Sequence, residues 1–148
     1  ADLHGHNNVL AVHVAAGAGL RRHIAGVVLG VDLESMKELY SGRRIKVIFQ
    51  PHLFTRTRDF YREFADALSL VDDVCVVDIY PAREEPIPGV TSNLIYDNLK
   101  SGIKRQRCMK NEILDVVRQG GFDVLITLGA GDIEDYVIQI TKILQPLS

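Results

Sequence analysis

Short β-branched runs that alternate with stretches of helical periodicity predict an α/β fold, Rossmann-like, with a mostly parallel sheet flanked by helices on both faces. Two further observations agree. The clearest run, Ile45 to Phe49, is apolar throughout, as a buried strand of a parallel sheet should be. Three predicted strands also end in polar loops, which a parallel sheet gathers at one carboxyl edge. With 148 residues the chain has the size of one domain, enough to build a core without disulfides or metals.

Taken in order, the first twenty residues are rich in alanine and glycine and carry His4, His6 and His13. Val9, Leu10 and Val12 can face a core, while Gly17 and Gly19 weaken a long helix. No acidic or cysteine companion stands near the three histidines, so they read as a mobile or packing segment in preference to a metal site. Ile24 to Val31 reads as a buried strand, and Asp32 to Tyr40 as a short helix ending near Ser41 and Gly42. The Ile45 strand follows and stops at Gln50 and Pro51. Strand, helix and strand make a βαβ unit with a short crossover.

A polar loop, His52 to Arg58, leads into a helix whose Phe60, Phe64 and Leu68 repeat at four-residue spacing and turn inward, while Arg62, Glu63 and Asp66 face water. Asp73 to Tyr80 is another β-branched strand. The proline-rich segment from Pro81 to Ser92 reads as a long ordered loop, because apolar patterns resume on both sides of it. Thr91 or Ser92 caps a helix from Asn93 to Lys100. Lys104 to Met109 is a weak, charged strand, followed by a helix from Lys110 to Arg118 with Ile113, Leu114 and Val117 inward and Gly120-Gly121 at its end. Asp123 to Leu128 is the last clear strand. It runs into Gly129-Ala130-Gly131-Asp132 and a final helix with Ile133, Val137, Ile140 and Leu144 on one face.

Composition narrows the function classes. The 47% hydrophobic and 24% charged residues are those of an ordinary globular protein, and no run approaches the ~18 apolar residues of a membrane span. A net charge of -2 gives no general attraction to nucleic acid or anionic lipid, and the cluster Lys104, Arg105 and Arg107 reads as a solvated strand edge or turn. Cys75 and Cys108 have no partner at metal or redox spacing and read as reduced, structural thiols. No charged-then-apolar leader opens the sequence, which fits a cytoplasmic setting.

The residue types that carry chemistry converge on the carboxyl edge. His52, Thr55, Arg56, Thr57 and Arg58 lie within seven residues, and such a set of cationic forks and hydroxyl donors suits an anion or polar ligand. Asp78 at a strand end can hold a ribose or a water. Arg83, Glu84 and Glu85 are either a site or a hydrated loop, with Glu85 on the hydrated side. The Gly129-Ala130-Gly131 turn is equally a structural turn or a ligand turn, because it lacks the full dinucleotide fingerprint and its downstream acid. There is no glycine-rich phosphate loop ending in Lys-Ser or Lys-Thr, and no serine or cysteine nucleophile with a base. The residues therefore describe a ligand-presenting domain, with no catalytic residue and no metal ligand assigned. The alternative is a freestanding nucleotide- or sugar-phosphate-binding module with a similar sheet.

Three segments, FQPHLFTRTRDF (Phe49 to Phe60), DIYPAREEPIPGVTS (Asp78 to Ser92) and LGAGDI (Leu128 to Ile133), in that order and spacing resemble the C-terminal domain of the Mur ligases. The resemblance covers residues 24 to 148. It implies residues 23–148 as the C-terminal, amino-acid-presenting domain and residues 1–22 as a remnant of the preceding, central ATP-binding domain or a mobile segment. It also implies a cytoplasmic, bacterial, ATP-dependent ligase of peptidoglycan synthesis that joins L-alanine to UDP-N-acetylmuramate. In such a ligase ATP and Mg are bound mainly by the other domains. ATP phosphorylates the muramate carboxylate, and the amine of L-alanine attacks the acyl phosphate. By the same resemblance His52 and Arg56 orient the amino acid and the muramoyl carboxylate, with Thr55 and Thr57 supporting them. Asp78, Tyr80, Gly129 and Gly131 face the nucleotide cleft.

The chain also departs from the family's pattern. Leu53 and Phe54 stand where many relatives have arginine and tyrosine, which removes one cationic contact. Between Val31 and Glu34 only Asp32 and Leu33 remain of an expected Asp-Tyr-Ala-His-His-Pro segment, which removes substrate and metal contacts.

Overall fold

The computed structural model describes Leu10–Val14 and residues 33–129 and 131–144. The predicted strand at Ile24 to Val31 and the histidines at 4 and 6 lie outside these residues. Five strands form one sheet in which every pairing is parallel. In chain order they are β1 (Leu10–Val14), β2 (Ile45–Gln50), β3 (Asp73–Val77), β4 (Lys104–Cys108) and β5 (Val124–Gly129). In space the order is β1-β5-β2-β3-β4.

Helix α1 covers residues 33–39, α2 is Phe54–Leu68, α3 is Asn93–Asp97, α4 is Ile113–Arg118 and α5 is Val137–Leu144. Single 3-10 turns, Lys110–Glu112 and Asp132–Tyr136, lead into α4 and α5. Each strand divides its side chains between two buried layers because successive residues point to opposite faces. Val47, Phe49, Val74, Val76, Val124, Ile126 and Leu128 pack with Leu33 of α1, Phe64 and Leu68 of α2 and Ile95 of α3. Ile48, Cys75, Val77 and Leu125 pack on the other face with Ile113 and Val117 of α4 and Ile140 of α5. The doubly wound α/β reading is thus correct.

Several boundaries shift for identifiable reasons. Helix α2 begins at Phe54, so Thr55 to Arg58 lie in its first turns and the loop is reduced to Pro51, His52 and Leu53. Leu53, with φ at 76°, makes the sharp entry that the sequence gives no glycine to signal. Helix α3 stops at Asp97, where Asn98 turns its side-chain amide back to the Leu94 carbonyl at 2.7 Å. Its N-terminus uses Thr91, whose hydroxyl accepts the Asn93 N–H at 3.1 Å. In α4 it is Val116 that is buried with Ile113 and Val117, while Leu114 is partly covered. The strand at Leu10–Val14, which alanine and glycine on either side conceal, pairs with β5 from Leu10↔Val124 to Val14↔Leu128.

Two buried features are absent from the sequence reading. Lys46 and Asp73, opposite one another on β2 and β3, form a fully buried ion pair at 3.5 Å, with Lys104 of β4 at 3.9 Å from the same carboxylate. Cys75 and Cys108, far apart in sequence, lie on adjacent strands with sulfurs 3.3 Å apart, both as free thiols. They sit diagonally, since Cys75 faces Gln106 and Cys108 faces Val77. The Cys75 thiol donates to Cys108, and that bond together with burial pushes it well above its ordinary range.

Candidate functional site

The spatial order reverses between β2 and β5, the position at which an open parallel sheet leaves a crevice beyond its strand ends. Gln50 ends β2 there and lies opposite Gly129. Its buried side chain ties three loops together. The Oε1 atom accepts the Ile133 N–H at 2.9 Å, while Nε2 lies 3.5 Å from both the Asp78 carbonyl and an Asp132 carboxylate oxygen. A polar residue closing an apolar strand was the available signal for it.

Beyond Gln50 the chain continues alongside the segment after β3. His52 and Tyr80 form an isolated parallel bridge, Tyr80 donates its N–H to the Pro51 carbonyl at 2.8 Å, and the Leu53 N–H donates to the Tyr80 carbonyl at 2.8 Å. The His52 and Tyr80 rings stack with centroids 5.6 Å apart. His52 is held below its ordinary pKa by burial first and by the nearby Arg56 second, with Glu84 opposing them. It is therefore a neutral imidazole beside a cation near neutral pH, suited to hydrogen bonding and not to carrying a second charge.

The four predicted substrate residues divide into two kinds. Thr57 is fully buried, and its hydroxyl donates to the Leu53 carbonyl at 2.9 Å, so it secures the strained Leu53 turn. Thr55 gives its N–H to a Glu84 carboxylate oxygen at 3.0 Å and its hydroxyl to the other oxygen. Arg56, four residues after His52 and in the first turn of α2, is partly exposed and has no ion pair or side-chain hydrogen bond among the described residues. Its neighbour Arg58 is engaged by Asp59 at 2.8 Å. Of the cations in this segment, Arg56 is thus the one with its fork free.

The four residues expected to face a nucleotide share the same edge. Asp78 is exposed and lies 3.9 Å from the Arg107 guanidinium. A Cβ on Gly131 would meet the Tyr80 ring at 2.6 Å, and one on Gly129 would meet the Gln50 carbonyl at 2.7 Å. The two glycines accordingly let the turn pack against its own chain, with φ of 141° at Gly129 and 108° at Gly131. A cleft of about 380 Å³ lies beside them, lined by Gln50, Asp78, Met109, Lys110, Asn111 and Asp132 among others. Lys110 lies 3.6 Å from Asp132. Lys110 and Asn111, in the 3-10 turn after β4, were not singled out from sequence, where they follow a weak strand with no motif.

Among the described residues no three His, Cys, Asp or Glu side chains come together as a group of metal ligands, and Asp78 and Asp132 each have a cation beside them. Nor is any described helix long and apolar enough to cross a membrane.

No family profile matches the chain. Among curated proteins it is similar to UDP-N-acetylmuramate–L-alanine ligases. It is 62% identical over 110 residues to that of Phocaeicola vulgatus, covering 74% of this chain and 24% of the relative. For the Parabacteroides distasonis protein the identity is 53% over 110 residues, again 74% of this chain and 24% of the relative. For one from Porphyromonas gingivalis it is 48% over 122 residues, 82% of this chain and 26% of the relative. The chain therefore spans about a quarter of the length of the curated relatives it matches. Among solved structures it resembles a Haemophilus ducreyi domain described as part of a UDP-N-acetylmuramate:L-alanyl-gamma-D-glutamyl-meso-diaminopimelate ligase. That likeness has a TM-score of 0.62 at 15% identity over 93% of each chain, and it bears on the fold alone.

Proposed function

The chain belongs to the Mur ligases as a domain of their UDP-N-acetylmuramate–L-alanine members, and from that premise we propose that it presents L-alanine and the muramoyl carboxylate for ATP-dependent bond formation. The observation that carries this reading is the free guanidinium of Arg56, in the first turn of α2 and four residues after a neutral His52 at the carboxyl edge of the sheet. An arginine fork binds a carboxylate bidentately, and a rigid helix turn fixes its direction.

In this reading the chain's own residues bind and orient, while activation of the carboxylate belongs to the rest of the ligase. Arg56 takes a substrate carboxylate, His52 hydrogen bonds beside it, and Thr55 and Thr57 hold the turn. Asp78, Tyr80, Gly129 and Gly131 stand on the neighbouring loops that face the nucleotide. Magnesium, when bound, neutralises phosphate charge, and its ligands are supplied from outside the described residues. The domain lacks a phosphate-gripping loop of its own, so on its own it does not turn over ATP.

The test is L-alanine-dependent ATP consumption by a complete ligase carrying these residues, wild type against Arg56→Ala. A fall in catalytic efficiency supports the assignment. An unchanged rate at limiting L-alanine sinks it.

A further inference from the structure

Helix α2 has no cap of its own: Leu53 offers no side-chain acceptor and the first turn holds no acidic residue. A bare helix N-terminus attracts carboxylates, because its first N–H groups are unpaired and the helix dipole is positive there. In this fold the position is filled from 29 residues away by Glu84, which accepts both the N–H and the hydroxyl of Thr55. The Thr55 hydroxyl in particular holds the Glu84 carboxyl below the usual carboxylate range, so it is ionised near neutral pH. The same contact pins the proline-rich segment after Tyr80 onto the helix that carries Arg56.

We infer that Glu84 is a positioning residue: it fills the N-terminus of α2 with a carboxylate of the chain itself and so leaves Arg56 as the receptor for a ligand carboxylate. The inference rests on the reading of Arg56 given above. Arg58 is occupied by Asp59, and the helix terminus is occupied by Glu84. Of the two arginines in the first turns of α2, a ligand carboxylate therefore meets only Arg56 without a carboxylate already on it, one residue beyond the filled position. Without Glu84 a second anion position opens beside it, and a small zwitterion can dock out of register with the reacting carboxyl group.

Two measurements test this. In NMR titrations of the 148-residue chain with acetate, the wild type shows shifts at the Arg56 guanidinium and little change at the Thr55 amide. Glu84→Ala gains an acetate-dependent shift at Thr55, whereas Glu84→Gln, which keeps a hydrogen-bond acceptor in place, does not. A Thr55 amide in Glu84→Ala that ignores acetate overturns the inference. In a complete ligase carrying these residues, Glu84→Ala raises the KM for L-alanine about tenfold with kcat within about threefold, and Glu84→Gln restores most of the loss. An unchanged KM in Glu84→Ala alongside a raised KM in Arg56→Ala overturns the inference and leaves the Arg56 assignment standing. If Arg56→Ala also leaves KM unchanged, the Arg56 reading fails, and the acetate titration still decides the role of Glu84.

Discussion

The rings of His52 and Tyr80 stack at 17° to each other on two segments that extend the β2 and β3 pairing past the ends of the strands. This contact converts two loops into one rigid edge. Tyr80 is fixed further by its backbone bonds to Pro51 and Leu53, and its ring is the surface against which Gly131 packs. One residue thus joins the loops after β2, β3 and β5.

Gly131→Ala is expected to be costly for that reason. The new methyl would lie 2.6 Å from the Tyr80 ring at a backbone φ of 108°, so steric overlap adds to backbone strain. A loss of about 3 kcal/mol or more is expected in denaturant unfolding. Gly102→Ala, where φ is 88° and no atom lies within 4 Å of the added methyl, is expected to lose only about 1–2 kcal/mol. Equal losses at the two positions would show that the packing on Tyr80 contributes nothing.

His52 makes a pH-dependent contribution of determinable sign. Its folded pKa lies below the unfolded value of about 6.5. Between those two values the unfolded chain binds more protons, so stability falls as pH drops through that interval and the penalty is complete below the folded pKa. Ring-proton NMR should show the His52 midpoint rising in Arg56→Ala, which removes a neighbouring positive charge. It should fall in Glu84→Gln, which removes the opposing negative one. Shifts in the reverse directions would place the two charges elsewhere.

Arg56 should matter in a way that Arg62, exposed on the outer side of the same helix and lying over the Tyr61 ring at 5.2 Å, does not. A charge-assisted hydrogen bond to a carboxylate contributes about 1.5–3 kcal/mol, so Arg56→Ala in a complete ligase should lower kcat/KM roughly 10- to 150-fold. Lysine should rescue it partly, keeping the charge and losing the fork. Arg62→Ala should leave kcat/KM within about twofold. Equal activity of the two alanine variants would make the α2 turn purely structural.

Much of the architecture was legible because its signals are local. Buried strands such as Ile45 to Phe49 and Asp123 to Leu128 announce themselves by continuous β-branched composition, and Phe64 and Leu68 mark the inner face of α2 by spacing alone. The site was legible as a region and not as a set of contacts. The sequence shows Arg56 and Arg58 as equivalent cations two residues apart, whereas Asp59 engages only Arg58. From sequence Glu84 is equally a site residue or part of a hydrated loop, because its partner Thr55 lies 29 positions earlier. The start of α2 was misplaced for the same reason, since a cap delivered from another loop leaves no trace beside the helix. Likewise the tight fit of Gly131 on Tyr80 depends on the strand order, which places the loops after β3 and β5 against each other.

The buried pair Lys46 and Asp73 shows the same dependence on register, and it yields the sharpest stability prediction. Within Ile45 to Gln50 every residue is buried, so the Lys46 ammonium reaches no water and has the Asp73 carboxylate at 3.5 Å as its counter-charge. Lys104 lies 3.9 Å from that carboxylate with its side chain largely in solvent, and as a second cation it offers Lys46 no counter-charge. Removing one member of a buried pair leaves the other charge in a low-dielectric layer, which costs about 3–5 kcal/mol. Asp73→Ala should therefore destabilise the fold by that amount in urea unfolding. Replacing both members by apolar residues, Lys46→Met with Asp73→Leu, removes both desolvation penalties and should recover most of the loss. A double variant no more stable than Asp73→Ala would show that the loss does not come from leaving the Lys46 charge buried without its counter-charge.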